Sequence, residues 1–452
     1  MRSVMRKLLC AAAAVGLSVL TACGSGSGTT TPANIRVVND TTSDLTVSLN
    51  GLATLTAGSQ VTSAYAAVAP STYTLSVATP TGLTGASSTV GLGTAQNYTA
   101  LAYERGNNIY SAVYTDNQAV PSTGFSSLNV ANVSADAGPL DIYLVPHAAS
   151  GSPSLIGYQP TFSSVQGLST ATTLASTAAA SGSTPAIAWD IVVTKAATPN
   201  DVRLTLSNPS FASAQAYTLA LTATAGGGLV NAVLIPQGLT TTVFTPTTQA
   251  RVRVWSVLPV PALPATTPSV SVTVGSTVLS VANAPSPTQY QLVPANSAIS
   301  AISLSTFNGT TTVNSTISPV PTGTFAAGGD YTVLIYGTGT PSGAPAALIL
   351  ADTNQVVANY ASVRLINAAV PGTGLTMYVA NAEGASSVTY PTASTGESSY
   401  AYSGVKPASS ATLSLIGAGY TGQQSIGQFF SGSVYTVMVY DPTLAPLVVQ
   451  DR

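Results

Sequence analysis

Few side chains in this 452-residue chain could do chemistry. His147 is the single histidine; it follows Pro146 at a strand-like end and begins a polar loop. One imidazole can serve as a general base. Neither a Gly-x-Ser-x-Gly elbow nor a cysteine nucleophile accompanies it, so a loop histidine is the expectation. Asp136 and Asp141 bracket a Gly-Pro turn, and Asp40 and Asp44 hold the matching place nearer the N-terminus. Calcium takes about six to eight oxygen ligands, far more than two carboxylates per loop supply. Turn-forming aspartates explain these pairs better. A zinc site needs about three or four His, Cys or carboxylate ligands, which cannot be assembled here. Paired glycosidase carboxylates fail because acids are scarce and no aromatic-rich cleft is visible. The expectation is therefore no catalytic residue, no metal site and no cofactor. Tyr98, Tyr217, Tyr331 and Tyr435 each precede a threonine and an apolar run. They form either a platform for sugar or core-edge tyrosines whose hydroxyls bond nearby backbone; placement at a strand start favours the second. Trp189 and Trp255 are the anchors that a ligand pocket would use.

The remaining reactive side chain is Cys23. Arg2, Arg6 and Lys7 precede an apolar run from Leu8 to Leu20, the layout of a secretory signal. That run is shorter than the roughly 20 apolar residues that span a bilayer. Leu20-Thr21-Ala22-Cys23 closes it and resembles the lipobox of bacterial lipoproteins. The resemblance implies cleavage before Cys23, diacylglycerol on its thiol and acylation of the freed amine. Membrane lipid is then the first expected partner, since two or more acyl chains anchor where one does not. Gly24 follows the cysteine in place of the aspartate that resembles an inner-membrane retention signal, which favours an outer membrane or cell surface. Residues 23–33 read as a Gly/Ser/Thr tether.

Composition narrows the partners. Charged residues make up 6% of the chain, against about 25% in an average soluble protein. Loss of Arg2, Arg6 and Lys7 leaves nine basic against fourteen acidic residues, a net charge of −5. Such a chain has no basic patch for nucleic acid. Cys10 leaves with the signal, so the mature chain has no disulfide and must be held by burial. Hydrophobic residues reach 45% and are patterned, which argues against disorder.

That patterning recurs four times. The openings are Ile35–Asn39, Leu128–Asn132, Val252–Ser256 and Val363–Asn367, in which apolar residues alternate with Arg or Asn. This is the period of a half-buried strand, with Asn or Ser placed to close a turn. A second alternating strand follows each: Leu45–Leu49, Leu140–Leu144, Val270–Val274 and Leu375–Val379. Tyr65-x-x-Val68-x-Pro70 matches Tyr402-x-x-Val405-x-Pro407, each ahead of another strand. The four Tyr-Thr strands then lead into turns and a last apolar strand. Spacings near 90–125 residues imply tandem domains with separate cores rather than a solenoid. The reading is all-β: four tandem immunoglobulin-like antiparallel β-sandwich domains of about seven strands each, after the signal peptide and tether. The boundaries are 1–22 for the signal, then 34–120, 124–239, 250–356 and 360–452. A Ser/Thr/Ala-rich insert near 150–186 reads as a mobile loop, and 240–248 as a linker.

Asn132-Val133-Ser134-Ala135-Asp136-Ala137-Gly138-Pro139-Leu140-Asp141-Ile142-Tyr143-Leu144 resembles the signature of the bacterial domain-of-unknown-function family 4397. That family has an apolar strand ending in Asn, a Ser-Pro-Asp-Ala turn, then Val-Asp-Val-Tyr, and it closes on a Tyr-Thr strand. Copy two matches best and copy three, with Pro259–Pro264 in the turn, departs most. The resemblance implies secreted or surface β-sandwich modules in tandem and no particular activity.

The expectation for function is a lipid-anchored, non-enzymatic structural, adhesive or protein-interaction module of the cell envelope. A string of sandwiches would lift its distal copy away from the membrane. The rival readings are a glycan- or small-solute-binding lipoprotein, which needs a concave pocket, and, more remotely, an envelope enzyme. An envelope protein or glycan is the second expected partner.

Overall fold

The computed structural model describes residues 31–452 except 107, 148–152, 168, 179–187, 259–268, 283–285, 308–310, 338–344, 369–374, 382–383, 391–401, 418–419 and 441–445. Cys23 and the signal segment lie outside the described residues, as does part of the insert. Strands dominate, and no helix occurs among the described residues.

Unit 1 shows the plan. Its strands are β1 (Ala33–Asp40), β2 (Leu45–Leu49), β3 (Leu52–Ala57), β4 (Ala66–Val68), β5 (Ser71–Ala78), β6 (Ser88–Leu92), β7 (Asn97–Arg105) and β8 (Asn108–Thr115). They form two four-stranded sheets, ordered β4-β1-β7-β8 and β3-β2-β5-β6. Alternation in β2 buries Leu45, Val47 and Leu49 against Ile35 and Val37 of β1 and Leu75 and Val77 of β5. Fully burying each such side chain contributes about 1.5–3 kcal/mol. Units 2, 3 and 4 repeat the layout, each around a core of its own.

The details differ from the sequence reading in four ways. First, each unit has one antiparallel sheet and one mixed sheet. The opening strand runs parallel to the Tyr-Thr strand in all four units, as β1 does to β7. Alternation reports faces, not strand direction, so this pairing was not visible. Second, each unit has eight or more strands, because a short edge strand caps the opening strand.

Third, Ser169–Ala178 of the insert is a strand paired with Phe125–Asn132, in the place that β4 takes in unit 1. Its Thr-rich composition suits a strand as well as a loop. Fourth, the 240–248 stretch is docked rather than free. Val243–Thr245 adds a fifth strand to the mixed sheet of unit 2, which gives that unit nine strands.

The larger departure concerns how the units meet. The opening strands were expected to show one face to solvent. Instead they are buried almost throughout, Ala361–Asn367 at every position. The outer face of each mixed sheet is covered by another unit. Val38, Leu101 and Tyr103 of unit 1 pack on Ala131, Ala220 and Val233 of unit 2. Trp255 and Leu334 of unit 3 pack on Ile366 and Met438 of unit 4. The two pairs also touch. Gly226 donates its N–H to Gly328 O at 2.8 Å, and a Cβ on Gly228 would lie 1.6 Å from Arg251 Nη2. The glycines of this hairpin turn therefore serve close approach as well as turn geometry.

Candidate functional site

The turn and corner residues sit where the sequence placed them. Asn39 Oδ1 accepts the Thr41 N–H at 3.0 Å, and Asn132 Oδ1 accepts the Ser134 N–H at 3.1 Å. Their amide nitrogens donate to carbonyls across the sandwich mouth. The four tyrosine hydroxyls each accept a backbone N–H five residues upstream. The donors are Gly93, Ala212, Ala326 and Phe430, at 2.8–3.1 Å. Tyr98, Tyr217 and Tyr435 are buried and Tyr331 is partly buried, which is a corner role and no platform.

The aspartates of the two turns hold backbone and guanidinium groups. Asp141 accepts N–H bonds from Ser164 and Ala197 at 2.7 and 2.9 Å. Asp136 takes Arg105 bidentately at 2.6 Å through both bonds, plus the Val356 N–H at 2.7 Å. Asp44 accepts the Ser59 N–H. Asp40 accepts the Thr222 hydroxyl of unit 2 at 2.6 Å. Burial raises the Asp40 carboxyl to about 6, with Glu104 adding to the shift and the Thr222 bond opposing it. No cluster of three or more metal-ligating side chains occurs among the described residues.

His147 meets a residue that the sequence did not flag. Its Nδ1 lies 2.7 Å from Asp190 Oδ1, and that oxygen also accepts the Asn208 N–H at 2.9 Å. The pair joins the ends of Leu140–Pro146 and Trp189–Lys195. Trp255 is fully buried between units 3 and 4, so it cannot anchor a ligand. Trp189 is partly buried and pairs across the strands with Pro146.

Sequence reading missed a set of buried arginine clamps. Arg36, Arg253 and Arg364 occupy one position of the opening strand, directly beside Thr99, Thr332 and Thr436 on the parallel strand. In each, Nε donates to that threonine hydroxyl at 2.8–2.9 Å. Each guanidinium also stacks on a tyrosine, Tyr65, Tyr290 or Tyr402, at 4.7–4.9 Å.

The counterion is an aspartate at the end of the last strand or one residue past it. In units 3 and 4 the pairs are exchanged. Arg253 reaches Asp451 of unit 4 at 2.6 Å, and Arg364 reaches Asp352 of unit 3 at 2.5 Å. Burial alone would raise the Asp352 carboxyl. Arg364 and Arg253, with bonds from Thr332 and Tyr290, hold it below the ordinary range instead.

In unit 1, Arg36 pairs with its own Asp116 at 2.5 Å and donates to Pro236 O of unit 2 at 3.1 Å. Unit 2 has Asn129 and Gln237 at the arginine and aspartate positions. Gln237 bonds Gln118 from the linker between units 1 and 2. The signal was present in the sequence: three copies carry both Arg and Asp, and the copy without Arg also lacks Asp.

Behind these clamps, where units 2, 3 and 4 converge, lies a cleft of about 290 Å³. Lys195, Arg203, Arg251 and Arg452 line it, with Asp136, Asp201 and Asp451. Arg251 is bound bidentately by Asp330 at 2.7 Å in both bonds. Burial and the nearby Arg251 lower the Arg203 pKa, and burial lowers that of Arg452 to about 10.

Residues 33–143 match the family model described as "Domain of unknown function (DUF4397)". The match takes in unit 1 and runs into unit 2 as far as Tyr143, so it ends within the stretch that resembles the family signature. The search of curated proteins gave no match. Among solved structures, the Bacillus anthracis TIE protein is similar at 9% identity and a TM-score of 0.14. That alignment covers 90% of this chain and 67% of the other and is too weak to bear on fold or function.

Proposed function

We propose that this protein is a bacterial lipoprotein, acylated at Cys23 and exported to the outer membrane or cell surface. Its DUF4397-like units act there as one non-enzymatic structural, adhesive or interaction module. The observation that carries the reading is the fate of the charged side chains. In a chain with 6% charged residues, Arg36, Arg105, Arg253, Arg364 and Arg452 each bond an aspartate or a carbonyl of another unit. Groups so bound hold geometry and leave little for turnover.

The close packing favours a compact block over the extended stalk expected from tandem copies. Side-chain amides and hydroxyls then provide a weakly charged surface on which a partner can dock.

Metabolic labelling with a fatty acid tests the anchor. Label is expected on the wild-type chain and not on Cys23→Ser, which should fold equally well because the tether separates Cys23 from β1. Label persisting on the serine variant would overturn the lipoprotein reading. Saturable binding of the soluble chain to envelope preparations tests the module. Absence of any such binding, with cells lacking the protein unchanged in envelope integrity, would overturn that part.

A further inference from the structure

We infer that the cleft between units 2, 3 and 4 is a binding site for a small hydroxylated carboxylate, of the class of a uronic acid residue in an acidic glycan. The inference is independent of the lipid anchor, and its failure would leave the scaffold reading standing.

Charge is the first ground. Of the acids on the cleft, Asp136 is held by Arg105 and Asp451 by Arg253, cations from outside its lining. Arg251 is matched by Asp330. Lys195, Arg203 and Arg452 remain, and Asp201, 2.8 Å from Arg203, is the carboxylate left to them. Arg452 Nη2 and Nη1 bond the carbonyls of Ala135 and Asn354, and its nearest carboxylate oxygen, on Asp136, is 3.9 Å away. The cleft thus holds cationic charge that its own acids do not match.

Unmet hydrogen bonds are the second ground, and they specify the ligand further. Arg203 is over nine-tenths buried, yet its Nε has no acceptor among the described residues. Nη2 is taken by Asp201 and Nη1 by Gly228 O. Asn354 Oδ1 is likewise buried and has no donor among the described residues, while its Nδ2 bonds Asp330 at 2.8 Å. Buried polar groups are seldom left unpaired in native proteins. One orphan donor on a cation calls for an anionic acceptor, and guanidinium geometry suits a carboxylate. One orphan acceptor calls for a hydroxyl. Neither atom is open to water as the side chains stand, so a ligand that carries both groups answers both once the Arg203 and Asn354 side chains shift toward the cleft. The volume lies at the small end of ligand pockets, roughly 300 Å³, which suits one ring. The lowered pKa of Arg203 agrees, since a bound anion would relieve the cost of its burial.

Such a ligand would touch three units at once and so stabilise the whole block. Isothermal titration of the full chain in mild detergent tests the site, with D-glucuronate, D-glucose and inorganic phosphate as probes. Glucuronate should bind saturably and raise the melting temperature, and glucose should do neither. Arg203→Gln should weaken glucuronate at least about tenfold, the loss of one charge-assisted hydrogen bond. Lys195→Glu is an exposed change, so it keeps the test open if Arg203→Gln does not fold; it too should weaken binding. No saturable glucuronate binding would overturn the site, as would an affinity unchanged by Lys195→Glu. Phosphate binding with glucuronate inert would overturn the carboxylate assignment.

Discussion

The interface between units 1 and 2 and that between units 3 and 4 use the same strands and solve burial differently. Both bury the outer face of a mixed sheet, and both run an arginine along the seam. Between units 3 and 4 the charge pairs cross, each arginine on the other unit's aspartate. Between units 1 and 2 the clamp's own ion pair closes within unit 1, unit 2 offers Gln237 and backbone carbonyls at that position, and the charge pair that crosses is Arg105 with Asp136 at the far end of the strand. The carboxylates respond accordingly. Asp352 sits below its ordinary pKa and Asp40, at the other interface, is raised to about 6. A single framework thus tolerates a charged or a neutral clamp position, provided that donors and acceptors are matched as a set.

The largest break in the comparison comes from Asp352→Ala. It strands Arg364 and removes the acceptor of Thr332 and Tyr290. Breaking one partner of a buried pair costs about 3–5 kcal/mol. Denaturant unfolding should show this loss, and Trp255 fluorescence should report it at the interface. A cost near zero would mean that the seam is solvated.

The matching change at the neutral clamp position, Gln237→Ala, removes two bonds to the Gln118 backbone. At neutral-bond values, its cost is about 1–2 kcal/mol in the same assay. Equal losses from the two variants would erase the distinction between a charged and a neutral clamp position.

Tyr331→Phe removes one corner hydrogen bond inside unit 3, away from the seam. A loss of about 0.5–1.5 kcal/mol is expected by chemical denaturation. Separate cores predicted that such a loss would stay in copy three. With Trp255 and Leu334 packed on unit 4, units 3 and 4 should instead unfold in one transition. Two resolved transitions would contradict that coupling.

The smallest effect is pH-dependent. Asp40 is raised in the folded chain from 3.8 to about 6, so the folded state holds its proton longer than the unfolded chain. Its contribution is present below pH 4 and is lost as pH rises through about 6. Asp40→Asn keeps an acceptor for Thr222 and should stabilise by about 1 kcal/mol at pH 7, after allowance for partial solvation. It should change nothing at pH 4. Asp352 has the opposite sign: its contribution is present above the ordinary carboxylate pKa of 3.8 and fades in acid. Thermal melts of both variants across pH separate the two signs. Parallel slopes would refute the contrast.

Much of this was legible in particular residues. Alternation in Leu45–Leu49 and Val270–Val274 gave the sandwich cores, because a side-chain period of two defines a buried face. Asn39, Asn132 and the four tyrosines declared their turn and corner bonds, because those bonds close within about two to five residues. The Asp190 partner of His147 was not legible, since 43 residues separate them and only sheet pairing brings them together.

By itself, the sequence determined the fourfold repeat, the all-β class and the local bonds. The tertiary structure decided what covers the second face of each sheet. Alternating Arg, Thr and Asn look the same whether water or another unit lies opposite. Arg36 and Arg364 read as solvent-facing, yet they are fully buried. A guanidinium can leave water only when a carboxylate and enough acceptors meet it. In this chain those partners come from strand ends tens to hundreds of residues away, so only the assembled block could reveal them.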